Sequence, residues 1–86
     1  MKVFYFSAPW CVACKENKPM VTATCLANDV GYEEVDVDQQ IEKANMSGVS
    51  SVPTFLLMGN KREELARHIG AISKQRMLEL FHSGGT

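Results

Sequence analysis

Long apolar runs are missing from this sequence. None approaches the roughly 18 residues that a membrane-spanning helix needs. The opening Met-Lys-Val-Phe-Tyr-Phe-Ser carries only a short apolar stretch, too short for the core of a secretory signal. With no export signal, the expected compartment is the cytoplasm, whose reducing conditions make structural disulfides rare. An excess of charge is missing too. Nine basic and ten acidic residues leave a net charge of −1, so electrostatics give no reason to expect nucleic acid or a membrane surface as a partner. Cysteine is sparse and odd in number, at three residues, which counts against a disulfide framework. There is no internal repeat, linker or low-complexity stretch. What is present is an 86-residue chain with a hydrophobic fraction of 45%, enough for one small core and too little for two. The expected organisation is a single monomeric domain over residues 1–82, with a loose tail at 83–86.

Residues 2–7, Lys-Val-Phe-Tyr-Phe-Ser, are β-branched and aromatic without polar alternation, the pattern of a strand covered on both faces. Ser7-Ala8-Pro9 reads as a loop. From Cys11 to about Asn28 the residues favour helix, with Pro19 inside the run and expected to bend it. Asp29-Val30-Gly31 ends that helix. Residues 32–37 predict a second strand. Residues 39–46 predict a short helix capped by Asp38. Residues 54–58, Thr-Phe-Leu-Leu-Met, predict a third strand, and Gly59-Asn60 a two-residue hairpin into a fourth at 61–69. Ser73 is placed to cap a last helix through about His82, with Ile72, Met77, Leu78 and Phe81 on its apolar face. The order β-α-β-α-β-β-α makes the first strand pair parallel and right-handed and the last pair antiparallel. The expected fold class is α/β, a four-stranded mixed sheet with helices on both faces.

The chemistry gathers in Pro-Trp-Cys-Val-Ala-Cys-Lys at 9–15. A metal site is one reading of Cys11 and Cys14, but zinc usually takes four ligands. On one helix, Cys25 would stand about 16 Å from Cys14, and His68 and His82 show no ligand spacing. No metal is expected. A permanent disulfide would close a short loop and restrict the unfolded chain little. A redox centre has a mechanism. Cys11 opens a helix whose unpaired N–H groups and positive end favour a thiolate, the form that attacks disulfides. Cys14 follows nearly one turn later, within reach of a mixed disulfide. An exposed Cys11 and a shielded Cys14 would divide nucleophile from resolver. Cys-x-x-Cys in a β-α-β context signals this chemistry.

Other segments sharpen it. Ala-Pro-Trp-Cys-Val-Ala-Cys-Lys at 8–15, Pro19, Val-Asp-Val-Asp-Gln at 35–39, Gly-Val-Ser-Ser-Val-Pro-Thr at 48–54 and Ile-Gly-Ala-Ile-Ser-Lys at 69–74 occur in an order and spacing that resemble the thioredoxin family over nearly the whole chain. The resemblance implies a thioredoxin-like fold and a thiol-disulfide oxidoreductase that reduces protein disulfides. Cys11 would attack and Cys14 resolve. Pro53 would be cis against the cysteine pair, an isomer that an X-Pro bond adopts at small cost. The backbone of Val52 would be left to pair with a client strand. Trp10, Ser51, Val52, Pro53, Gly70 and Ala71 would line a shallow client groove. No cofactor would be bound. Electrons would come from NADPH through thioredoxin reductase, and clients would be disulfide-containing proteins such as ribonucleotide reductase.

The resemblance has departures. The family's first strand and helix have no counterpart, which makes the strand at 32–37 a sheet edge, with Glu33, Glu34 and Asp36 to discourage edge pairing. Tyr5 stands where the family has a buried aspartate that helps move the resolving cysteine's proton, and Glu34 stands at the family's nearby lysine. Tyr5 and Glu34 therefore become the candidates for that proton transfer. Val12-Ala13 replaces Gly-Pro between the cysteines, where residues tune thiolate stability. A glutathione-dependent glutaredoxin suits the length, but Gly70 is followed by Ala71-Ile72-Ser73 and not by that family's Gly-Gly pair. An oxidase or isomerase suits an oxidising compartment. A non-catalytic binding subunit shares the fold without needing the cysteines.

Plainer roles stand beside these. Trp10 is an ordinary half-buried aromatic unless it contacts clients. Tyr5 is most simply a core aromatic whose hydroxyl finds a partner. Cys25 and the methionines read as core filler, and His68 and His82 as surface residues.

Overall fold

The computed structural model describes residues 1–85. Strand β1 (Lys2–Ser7) leads into helix α1 (Val12–Ala27), then β2 (Gly31–Asp36), α2 (Ile41–Met46), β3 (Thr54–Met58), β4 (Glu64–Ile69) and α3 (Lys74–Gly85). The strands form one mixed sheet in the order β2-β1-β3-β4. The β1–β2 pair is parallel, and the β1–β3 and β3–β4 pairs are antiparallel. The fold is the thioredoxin-like α/β sheet that the sequence implies.

The central position of β1 and β3 explains their unbroken apolar character. Successive side chains on a strand point to opposite faces. Val3, Tyr5, Phe55 and Leu57 turn to one face and pack with Val21 and Cys25 of α1 and Met77, Leu80 and Phe81 of α3. Phe6 and Leu56 turn to the other, with Phe4 and Met58 beside them, and meet Ala44 of α2 and Val49. One face therefore carries two long helices and the other a single helix of six residues.

Helix α1 continues through Pro19. Asp29, with φ at 55°, turns the chain out of it, and the Val30 N–H returns to the Cys25 carbonyl at 2.9 Å. Ser73 caps α3 as expected, its Oγ accepting the Arg76 N–H at 3.1 Å.

Three expectations need correction. Asp38 does not cap α2, which starts at Ile41 with Gln40 as its N-cap and no side-chain cap bond. The carboxylate of Asp36 accepts the Asp38 N–H at 2.8 Å instead. That local turn competes with helix and delays its start. Gly59-Asn60 is not a two-residue hairpin. The Gly59 N–H bonds the Glu63 carbonyl at 2.8 Å and the positive φ falls at Arg62, so the loop runs from 59 to 63 and β4 begins at Glu64. Finally, α3 passes the predicted tail boundary at Ser83 and reaches Gly85. Once a helix is nucleated, each further residue adds a bond, and no proline stops it here. Thr86 of that predicted tail lies outside the described residues.

Candidate active site at the Cys11–Cys14 pair

The end of β1 delivers the chain to a tight turn in which the Cys11 N–H bonds the Ala8 carbonyl at 3.0 Å. Cys11 is then the N-cap of α1. Its backbone is extended, and its Sγ accepts the Cys14 N–H at 3.2 Å. A sulfur thus takes the place of the usual oxygen cap. Cys11 and Cys14 are joined as a disulfide with Cα atoms 5.3 Å apart, inside the range that a disulfide spans. Cys11 is 7% exposed and Cys14 2%. The expected order of exposure is kept, but an openly exposed nucleophile is not what the oxidised state presents. Both residues pack into the core face beneath α1.

Trp10 precedes the pair and is 67% exposed. Its indole N–H donates to the Asp38 carboxylate at 3.0 Å, which ties the Cys11 loop to the turn after β2. A hollow of about 190 Å³ lies alongside, with Trp10, Val37, Ile41, Val49, Ser51 and Val52 among its walls. The Val52–Pro53 peptide bond is cis. The Ser51 carbonyl accepts the Thr54 hydroxyl at 2.7 Å, which holds this loop against β3. Gly70 and Ala71 do not line the hollow. Gly70 meets the same loop elsewhere, its N–H donating to the Pro53 carbonyl at 2.8 Å. The φ of Gly70 is +99°, and a Cβ there would meet no atom within 4 Å, so backbone conformation alone favours glycine.

A second, polar cavity of about 400 Å³ opens onto Cys14 and is bounded by Ser7, Lys18, Glu34, Asp36 and Gln40. Glu34 carries one carboxylate oxygen on Lys18 Nζ at 2.7 Å and the other on the Ser7 hydroxyl at 2.8 Å. Burial pushes its carboxyl up, but the bonds from Lys18 and Ser7, with the Lys18 charge, outweigh this and hold it below the usual carboxylate range. Tyr5, opposite Glu34 in the β1–β2 register, is fully buried. It stacks on Phe55 with centroids 4.8 Å apart. Its hydroxyl donates to the Cys14 carbonyl, not to a sulfur. Burial first, and the Glu34 charge second, push this phenol up to about 12.

Three residues of this neighbourhood escape sequence reasoning: Ser7, Lys18 and Asn17, the last bonding both backbone groups of Ile72. A faint signal exists for Lys18, which follows Cys14 by one helical turn and so shares its side of α1. Cys25 lies in the core, and burial pushes its thiol up to about 11. His68 is not idle on the surface. Its Nε2 lies 3.1 Å from the Ala71 carbonyl. Among the described residues no cluster of three or more His, Cys, Asp or Glu is placed to hold a metal ion, and no helix is long and apolar enough to cross a membrane.

The family model for thioredoxin matches residues 1–83. Thioredoxin of Chlamydia muridarum is 33% identical over 79 residues, covering 88% of this chain and 74% of that protein. Thioredoxin H2 of Arabidopsis thaliana is 37% identical over 67 residues, covering 77% of this chain. The chain spans about half the length of that relative and of the similar rice thioredoxins. Among solved structures, a mutant thioredoxin from Halobacterium salinarum superposes with a TM-score of 0.91 at 26% identity, over 99% of this chain and 74% of that one. Thioredoxin NaTrxh from Nicotiana alata gives 0.87 at 32% identity, over 96% and 71%. With sequence match, strand order and the helix-capping cysteine pair in agreement, the chain belongs to the thioredoxin family.

Proposed function

We propose that this protein is a thiol-disulfide oxidoreductase that reduces protein disulfides. One observation carries the proposal: Cys11 is both the N-cap of α1 and the bonded partner of Cys14, in a chain of the thioredoxin family. In the reduced protein the Cys11 thiolate attacks one sulfur of a client disulfide. The client S–S bond breaks, a Cys11–client bond forms, and the other client sulfur leaves as a thiolate and is protonated. Cys14, deprotonated in turn, attacks Cys11 Sγ. The Cys11–client bond breaks, the second client sulfur leaves and is protonated, and the Cys11–Cys14 bond forms. Two electrons and two protons pass to the client.

In this proposal the client groove runs from the hollow walled by Trp10, Ser51 and Val52 on to Pro53, Gly70 and Ala71, which lie outside that hollow, with the Val52 backbone offered to an extended client segment. Of the two candidates for the Cys14 proton, Glu34 is the better placed. Its carboxylate borders the cavity that reaches Cys14, whereas the Tyr5 hydroxyl is committed to a carbonyl. Tyr5 then positions the Cys14 backbone. Electrons return from NADPH through thioredoxin reductase, the work is cytoplasmic, and ribonucleotide reductase is a representative client.

The test is a pair of NADPH-coupled assays, one with thioredoxin reductase and one with glutathione plus glutathione reductase. Fast turnover with thioredoxin reductase, abolished by Cys11→Ser, is expected. Turnover with glutathione alone would move the protein to the glutaredoxin reading, and no turnover with either would favour a binding subunit.

A further inference from the structure

Asn17 sits on α1 three residues after Cys14 and joins the redox helix to a distant loop. Its Nδ2 donates to the Ile72 carbonyl at 2.8 Å, and its Oδ1 accepts the Ile72 N–H at 2.7 Å. One side-chain amide thus pairs both backbone groups of one residue, as a neighbouring strand would. Ile72 needs this. It lies between β4 and α3, outside both ladders, with its side chain buried in the core. An unpaired buried backbone group is costly.

The bonds continue from Ile72 back along the loop toward β4. The Ala71 carbonyl faces His68 Nε2 at 3.1 Å, and the Gly70 N–H reaches the Pro53 carbonyl at 2.8 Å. A chain of hydrogen bonds therefore runs from α1 through Asn17, the 70–72 loop and Pro53 to the cis-proline loop. It links α1, the 70–72 loop and the cis-proline loop. Gly70 adds no side chain to hold this loop, and its φ of +99° is one that other residues rarely adopt.

We propose that Asn17 is a positioning residue for client recognition. It fixes the 70–72 loop, whose Gly70 and Ala71 belong to the proposed client groove, in register with the cysteine-bearing end of α1, so that an extended protein segment meets a pre-set surface. The inference rests on the proposed reduction of protein disulfides. A small disulfide that touches only the sulfurs does not use that surface, so Asn17 separates protein clients from small ones.

Asn17→Leu and Asn17→Asp are compared with the wild type in reducing insulin and a small aromatic disulfide. Asn17→Asp keeps the size and the bond from the Ile72 N–H but loses the donor to its carbonyl, so it guards against simple misfolding. For insulin, KM is expected to rise about tenfold, the scale of one lost part-buried hydrogen bond, with kcat within about twofold. Reduction of the small disulfide and the midpoint potential stay at wild-type values, and the Ile72 amide loses protection in hydrogen exchange. Equal slowing on both disulfides, or a lower Tm with unchanged KM, overturns the inference and leaves the reductase reading standing. A wild-type protein inert towards both disulfides overturns the two together.

Discussion

At the scale of single residues, two groups beside Cys14 have exchanged the expected chemistry. Tyr5 cannot serve as a base near neutral pH, because a phenol is un-ionised there, and burial with the Glu34 charge pushes this one further up, to about 12. Glu34 is ionised at neutral pH, held by Lys18 and Ser7, and a carboxylate can accept a proton that a buried phenol cannot. Glu34→Gln should therefore slow the Cys14 step at pH 7 by about tenfold or more. The loss should fade as rising pH ionises Cys14 directly. A stopped-flow profile of mixed-disulfide resolution would show this, and a variant with the wild-type profile removes Glu34 from the mechanism. The same carboxylate has a stability signature. Its folded pKa is lowered, so its contribution is present above the unfolded value of about 4.3 and is lost as pH falls through the folded one. With 36% of the Glu34 side chain exposed, that contribution is small.

At the scale of elements, turns decide where strands and helices stop, and their glycines are not equivalent. Gly70→Ala meets open space, yet forces a side chain onto a φ of +99°, a strain of roughly 1–3 kcal/mol. Gly59→Ala meets the Glu63 carboxylate, a flexible group that can rotate away at the cost of its 3.1 Å bond from the Lys61 N–H, about 1 kcal/mol. Urea midpoints should therefore fall further for Gly70→Ala, and the reverse order would refute this account of the two turns. The same elements mark what could be read in advance. β1 and β3 are legible because 3–6 and 55–58 are apolar without alternation, the pattern of a doubly covered strand. The Cys-x-x-Cys pair is legible because its spacing and its place at a helix start suffice. The start of α2 is not, since the Asp36 carboxylate holds a local turn through the Asp38 N–H and the helix begins only at Ile41, with no side-chain cap. Nor are Lys18–Glu34 and Asn17–Ile72, because each joins residues whose nearness depends on how α1 lies against the sheet and the 70–72 loop.

Across the whole molecule, the sheet is covered unevenly. Beside the short α2, Phe4 is roofed by lysines, with Lys43 Nζ 4.4 Å and Lys2 Nζ 5.2 Å from the ring centroid. Glu33 holds both ammonium groups at 2.8 Å. This roof is electrostatic, and screening shortens to about 3 Å in 1 M salt. The Tm gap between the wild type and Glu33→Gln should therefore shrink from low salt to 1 M NaCl, and a constant gap would show that the roof is held by packing alone. The capping sulfur of Cys11 has a reach of its own. Folding and oxidation form a closed thermodynamic cycle, because the atom that ends the helix is the atom that carries the electrons. A thiolate cap suits the positive end of α1 better than a neutral sulfur does. Whatever stabilises the thiolate cap more than the disulfide-bonded one therefore favours the reduced fold, raises the midpoint potential and, in the proposed activity, makes the protein a weaker donor. The difference in fold stability between the reduced and oxidised states and the driving force of the proposed disulfide reduction are linked around that cycle.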